Sequence, residues 1–236
     1  MSNVLNKYKW ILFDADETLF HFDAFAGLKL MFSRFNVDFN AEDFLTYQQV
    51  NKPLWVEYQN GLISAAHLQQ TRFTHWATKL SVTPQHLNSQ FLTAMADICL
   101  PLPGARELVD SLTGKVNLGI ITNGFTELQN IRLSRTGFKN AFNPVVISEQ
   151  LGKAKPDVAI FNHAFSLMGE PEKHQVLMVG DNLHSDILGG INAGIDTCWL
   201  NHHDEPVSDN ISPRYQVRNL TELHQLLLTP NTPLAG

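Results

Sequence analysis

Two acidic residues one position apart, Asp14 and Asp16, close the apolar run Trp10-Ile11-Leu12-Phe13. Such a run reads as a strand buried on both faces of a parallel sheet, and a strand of that kind delivers its next residues to the rim where ligands bind. If the chain stays extended, positions i and i+2 point the same way, so the two carboxylates crowd together and need a cation or a shared proton. An Asx-type turn, in which each Asp satisfies backbone amides, accounts for the same pair without any chemistry. The stretch alone leaves both readings open.

A second stretch, Val176-Leu177-Met178-Val179-Gly180-Asp181, repeats the pattern, and Asp186 follows in the first turn of the next predicted helix. Two strands that deliver carboxylates to one edge repel each other unless they share a divalent ion. Oxygen ligands without histidine select a hard cation, Mg2+ by default with Mn2+ as the alternative. A third strand end, Ile120-Ile121-Thr122-Asn123-Gly124, offers a hydroxyl, an amide and a glycine before a helix predicted from Phe125. That is a phosphate or oxyanion cradle, or else a plain strand-to-helix turn with an N-cap. In Lys153-Ala154-Lys155-Pro156-Asp157 a lysine precedes a proline at a predicted helix start, where the helix dipole disfavours a cation. A negative partner nearby would explain it; taken by itself, the segment reads as solvated surface.

The elements that must position these residues show as a change of periodicity. From about Phe20 to Leu100 the chain reads as four successive helices. Ala24, Leu28, Met31, Phe32 and Phe35 follow helical spacing, Asn40 caps the next helix, Leu68, Phe73 and Trp76 belong to a third, and Pro84 opens a fourth. From Leu102 onward strands alternate with helices. The strands are predicted near Val116 to Ile121, Val145 to Ile147, Val176 to Val179 and Thr197 to Leu200, with helices from Pro156 to Met168 and from Leu220 to Leu228. One βα pattern that is interrupted and resumed predicts a single α/β parallel-sheet domain, residues 1–20 and 101–236, carrying a helical cap at residues 21–100. Because the insertion starts just after Asp16, the cap would lie over the acidic rim.

With 236 residues the chain can bury a full core without staples. Its two cysteines, Cys99 and Cys198, belong to no CxxC or Cys/His cluster, which suits a reduced, cytoplasmic protein. No run of ~18 apolar residues predicts a membrane span. A formal charge of −6 without a Lys/Arg block argues against a nucleic-acid duplex as partner, but leaves room for a small phosphorylated metabolite. The sequence leaves monomer and homodimer equally open.

Taken in order, Asp14-x-Asp16-x-Thr18, Thr122 after a strand, Lys155-Pro156, and Gly180-Asp181 with Asp186 resemble the haloacid dehalogenase superfamily of phosphatases. The helical block after the first motif is similar to that superfamily's type-1 cap on a Rossmann-like core. The wording Asp14-Ala15-Asp16-Glu17-Thr18-Leu19-Phe20, Val50-Asn51-Lys52-Pro53-Leu54-Trp55, Ile121-Thr122-Asn123-Gly124-Phe125 and Gly189-Gly190-Ile191-Asn192-Ala193-Gly194 looks like the bacterial pyrimidine 5'-nucleotidase branch. Glu17 departs from the wider family, where many members have glycine, and agrees with this branch.

The resemblance implies a Mg2+-dependent phosphomonoesterase acting on pyrimidine nucleoside 5'-monophosphates through an aspartyl-phosphate. Asp14 would be the nucleophile and Asp16 the proton donor and later the base. The carboxylates of Asp14 and Asp181 and the backbone carbonyl of Asp16 would hold the metal, and Asp186 would support it through water or hydrogen bonds. Thr122, Asn123 and Gly124 would bind phosphoryl oxygens, and Lys155 would balance charge. Phe20, Phe22, Phe25, Trp55 and Tyr58 could stack on a base, though at helical spacing they also read as cap core; Asn51 and Lys52 could meet polar edges or solvent. The His202-His203-Asp204-Glu205 block carries no predicted function. A sugar-phosphate or phosphoglycolate phosphatase is the alternative on the same core, and a phospho-accepting signalling or binding protein is the alternative from another class.

Overall fold

The computed structural model describes residues 3–206 and 210–230. Its centre is β1 (Trp10–Phe13), flanked by β2 (Asn117–Thr122) and β4 (Val176–Gly180). Outside these lie β3 (Val145–Ile147), β5 (Asp196–Leu200) and β6 (Tyr215–Val217), giving the all-parallel order β3-β2-β1-β4-β5-β6. Phe13 pairs with Ile120 on one side and Val179 on the other, so the three central strands end level. Their next residues therefore share one rim, at the point where the strand order reverses.

Strand alternation divides the apolar side chains between two layers. Ile11, Phe13, Ile120, Leu177 and Val179 face one layer, packed with Ala105, Leu108, Val109 and Leu112 of α6 (Ala105–Leu112) and Leu220, Leu223 and Leu227 of α11 (Leu220–Leu228). Leu12, Ile121 and Met178 face the other, against Ile160, Phe161, Ala164 and Phe165 of α9 (Val158–Leu167). Cys198 is buried in the first layer, and Cys99 is half-buried against it. Among the described residues no helix is long and apolar enough to cross a membrane.

Between β1 and α6 lie α1 (Ala24–Ser33), α2 (Ala41–Gln59), α3 (Ala65–Thr71), α4 (Thr74–Leu80) and α5 (Pro84–Ile98). Asn40 caps α2 in a capping box with Asp43, and Pro84 opens α5 behind the Thr83 cap, as the sequence predicts. These helices form a hydrophobic cluster of their own, which the sheet domain enters through Phe125, Leu128 and Ala154. At its heart Phe32 stacks on Phe39 at 4.7 Å and lies 4.4 Å from Trp76.

Three predicted elements need correction. The single helix expected to hold Leu68, Phe73 and Trp76 is divided into α3 and α4, because Phe73 leaves helical geometry at φ −112°, ψ 1°. The break lets Leu68 and Phe73 both be fully buried in one core. The helix predicted from Pro156 starts instead at Val158, with Asp157 as its N-cap, so Lys155-Pro156 belongs to the preceding turn. Strand β6 was not predicted; with three residues of mixed burial it is too short to set a period. Elsewhere β1 and β3 have the predicted bounds, β2 is shifted by one residue, and β4 and β5 differ by one residue at an end, as ends commonly do.

Replacing Phe32 by alanine removes a fully buried ring from the helical cluster. It is expected to destabilise the protein by about 3–5 kcal/mol, read as a lower denaturation midpoint in urea.

Candidate active site

The rim places Asp14 immediately after β1 and Asp181 immediately after β4. Asp14 continues the ladder, its N–H donating to Val179 O at 2.9 Å. Asp186 lies in a single π-type turn, Leu183–Ile187, that leads into α10 (Leu188–Ala193). Gly180 allows this turn to close on the strand: a Cβ at that position would stand 2.2 Å from Asp186 Oδ2. Lys155, only 1 % exposed, reaches in from the turn before α9. Its ammonium donates to Asp14 Oδ1 at 2.5 Å and to the Ile121 carbonyl at 2.6 Å, and pairs with Asp186 Oδ1 at 2.7 Å. The solvated-surface reading of this lysine is therefore wrong. A buried carboxylate pair, invisible in the local sequence, holds it. Lys153 does lie at the surface, paired with Asp157.

Carboxylate oxygens of Asp14, Asp181 and Asp186 can all lie within 4.8 Å of one another. One lysine cannot neutralise three such groups. Burial, followed by the repulsion of Asp186 and Asp16, pushes Asp14 up to about 7, although Lys155 opposes the rise. Burial with the charges of Asp186 and Asp14 pushes Asp181 up to about 8. For Lys155 burial favours the neutral amine, but Asp14 and Asp186 outweigh it and hold the ammonium above its ordinary value. An all-oxygen, partly protonated cluster of this kind fits a hard divalent cation, which would take the place of the protons. Asp186 is already engaged, by Lys155, by the Asn182 N–H at 3.0 Å and by the Ser185 hydroxyl at 3.2 Å. Asp181 is oriented by Thr18, whose hydroxyl donates to Asp181 Oδ1 at 3.2 Å and accepts from Asp181 N at 3.1 Å.

The side chain of Asp16 does not join this cluster, contrary to the parallel orientation expected of an extended chain. The chain bends at Ala15, between the two acids, and turns again at Glu17, which adopts φ 52° in the left-handed region where glycine is favoured. Glu17 is held there by its N–H donating to Phe20 O at 2.7 Å and by its carboxylate accepting from Phe22 N at 2.5 Å. Its carbonyl also meets His202 Nε2 at 2.7 Å, which gives one member of the histidine block a structural contact. Asp16 Oδ1 instead pairs with Arg132, a residue 1 % exposed on α7 (Thr126–Arg135). Arg132 Nε donates to Gln129 Oε1 at 2.8 Å. Neither Arg132 nor Gln129 is flagged by the sequence, although their spacing puts both on one helical face with apolar Leu128 and Leu133.

Thr122 ends β2, and its hydroxyl accepts from Gly124 N at 3.0 Å. Gly124 keeps the approach open: a Cβ there would lie 2.6 Å from Gln129 Nε2 and 3.4 Å from Asp16 Oδ2. The Asn123 side chain is committed elsewhere, donating to Lys155 O at 3.0 Å and accepting from Lys155 N at 2.8 Å. It thereby ties the cradle to the lysine.

These residues form the floor of a cavity of about 240 Å³ between the sheet and the helical block. Of the five aromatics singled out in the sequence, Phe22 and Trp55 line it. Phe20 packs beneath Arg132, Phe25 packs on Phe39 and Phe44, and Tyr58 bonds Ser148. Asn51 lines the cavity, whereas Lys52 is exposed. Trp55 stacks on Phe125 at 5.3 Å. Tyr47 and Arg72, also in the lining, carry no sequence signal beyond membership of the helices.

The family model for haloacid dehalogenase-like hydrolases matches residues 8–194. The chain is 55 % identical over 221 residues to pyrimidine 5'-nucleotidase YjjG of Escherichia coli, covering 94 % of this chain and 98 % of that one. It is 36 % identical to pyrimidine 5'-nucleotidase PynA of Streptococcus pneumoniae, covering 92 % and 93 % of the two chains. Its fold matches the HAD-hydrolase YfnB of Bacillus subtilis, solved bound to magnesium, with a TM-score of 0.81 and 29 % identity over 94 % of this chain and 99 % of that one.

The raised values of Asp14 and Asp181 mean that the cation-free native state binds extra protons. The stability those protons bring is complete below about pH 4 and is lost as pH rises through about 7 and 8. A divalent cation binds the deprotonated carboxylates. It is therefore expected to raise the melting temperature more at about pH 8 than at about pH 6 in thermal scans; an increase independent of pH would contradict this account.

Proposed function

This chain belongs to the haloacid dehalogenase-like hydrolases, and from that premise we propose that it hydrolyses pyrimidine nucleoside 5'-monophosphates to nucleoside and inorganic phosphate. The observation that carries the reading is the Lys155 ammonium clamped on Asp14 Oδ1 at the floor of a cavity lined by Phe22 and Trp55. Support for the substrate comes from the two relatives named pyrimidine 5'-nucleotidase.

Asp14, with one carboxylate oxygen held by Lys155, attacks phosphorus with the other. The bond from phosphorus to the 5' oxygen breaks, and an aspartyl-phosphate forms. Arg132 holds Asp16 Oδ1, while Oδ2 lies toward Gly124, on the open side of the cradle. From there Asp16 gives its proton to the departing 5' oxygen. It then takes one from water, which attacks phosphorus, releases phosphate and restores Asp14. Thr122 and the N–H groups of Asn123 and Gly124 receive phosphoryl oxygens, and Lys155 balances the charge brought to Asp14. Mg2+, or Mn2+ in its place, would be held by Asp14, Asp181 and the Asp16 carbonyl, to which no backbone N–H donates among the described residues. Asp186 would hold Lys155 and the rim around it. When bound, the ion neutralises the repulsion between an anionic nucleophile and an anionic substrate.

The helical block acts as a cap in this reading. Tyr58 to Ser148 at 2.7 Å, Gln69 to Glu149 at 2.5 Å and Ser89 to Glu127 at 2.7 Å fasten it over the rim. Exclusion of water by the cap strengthens every charge interaction inside.

The test is a panel of nucleotides and sugar phosphates assayed with Mg2+, Mn2+ and excess chelator. Pyrimidine 5'-nucleotides are expected to be turned over fastest, chelator to stop turnover, and Asp14→Asn to abolish it while leaving the melting temperature within a few degrees. Equal rates on sugar phosphates would move the reading to a general sugar-phosphate phosphatase.

A further inference from the structure

At the cap side of the cavity, remote in sequence from all the acidic motifs, Arg72 is 5 % exposed yet lines the open space. It is the C-cap residue of α3. Nε donates to Asn88 Oδ1 at 3.1 Å, and Nη2 donates to the same oxygen. Asn88 is itself fixed, its amide donating to Gln69 Oε1 at 3.0 Å. The guanidinium lies 5.2 Å from the Phe73 ring, 5.1 Å from Phe91 and 5.2 Å from Phe125. Tyr47 stands beside it, its hydroxyl donating to Asn51 Oδ1 at 3.2 Å. Among the described residues no carboxylate pairs with Arg72.

A buried cation held by a neutral amide, a tyrosine hydroxyl and ring faces, with no carboxylate beside it among the described residues, is incompletely compensated. Aromatic faces return part of the lost hydration, but burial of an ion is more demanding than such contacts alone satisfy. Guanidinium carries five N–H donors in a rigid plane, and here two nitrogens share one acceptor. The remaining donor capacity, in a residue that borders the cavity, asks for an acceptor supplied by a ligand. The phosphate is already provided for by Lys155, Thr122 and the metal-binding carboxylates at the floor. Trp55 and Phe125, stacked on each other, give the same cavity a flat apolar wall. A planar ring bearing carbonyl oxygens on its edge meets both demands.

We propose that Arg72 is the specificity-determining residue that reads the carbonyl edge of the nucleotide base, with Asn88 and the three phenylalanines holding its guanidinium plane in position. The proposal rests on the nucleotidase reading and deepens it. Arg72 donates to a ring carbonyl of uracil, thymine or cytosine; adenine offers no such oxygen.

The test compares uridine 5'-monophosphate with ribose 5-phosphate, which has the phosphate and sugar but no base, on the Mg2+-loaded full chain. The wild type is expected to prefer the nucleotide. In Arg72→Met the ratio of kcat/KM for the nucleotide over ribose 5-phosphate is expected to fall on the order of tenfold to a hundredfold. Arg72→Lys, which keeps the charge but not the planar fork, is expected to lower the ratio less, and decides the matter if Arg72→Met does not fold. A ratio unchanged in the variants, whether both rates fall together or neither moves, overturns the proposal by assigning Arg72 to the phosphate or to packing. A wild type that does not prefer the nucleotide overturns instead the nucleotidase reading on which the proposal rests.

Discussion

The Lys155 ammonium, buried between Asp14 and Asp186, is the contact on which the site depends. Without it, three carboxylates gathered within 4.8 Å at the end of the central strands would face one another across a poorly hydrated space. With it they remain buried and under-neutralised, and burial first, then mutual repulsion, makes Asp14 and Asp181 hold protons toward neutral pH. The residual imbalance suits the rim to a divalent cation, which would offset the excess negative charge.

The surrounding structure serves to hold that imbalance in register. Level ends of β1, β2 and β4 bring Asp14, Thr122 and Asp181 to one height. Gly180 admits Asp186 against the strand, where any Cβ would collide with its carboxylate. Asn123 binds both backbone groups of Lys155, which ties the turn after β2 to the turn that carries the lysine. Opposite the floor, the helical block adds a wall of different chemistry. Trp55 and Phe125 offer an apolar plane, and Arg72 and Asn51 offer polar groups. Under the proposed function, floor and wall divide the work, the first acting on the phosphate and the second on what the phosphate carries.

Much of this arrangement is legible in the sequence because it is local. Buried strands write themselves as apolar runs, and the acids that follow Phe13 and Gly180 declare a rim directly. Capping by Asn40 and Thr83 and the proline at position 84 likewise need only a few neighbours. Features that depend on distant partners are not legible. Taken locally, Lys155 reads as surface because its two carboxylate partners, Asp14 and Asp186, lie 141 and 31 positions away in the chain. Arg132 reads as an ordinary helical arginine because its partner Asp16 is 116 positions distant. The chain leaves extended geometry at Ala15 and turns through the left-handed Glu17, which an extended-strand argument cannot foresee. Among the cap aromatics, periodicity marks burial but does not separate Phe25, which packs inward, from Trp55, which borders the cavity.

In the proposed reaction Asp14 carries the phosphoryl group between substrate and water. Acid quenching during turnover of a pyrimidine nucleotide, followed by proteolysis and mass spectrometry, tests it most directly. A phosphate-mass increment is expected on the peptide containing Asp14, enriched in Asp16→Asn and absent in Asp14→Asn. Steady turnover with no adduct on that peptide in either the wild type or Asp16→Asn would contradict it, since water would then attack the substrate without a covalent step.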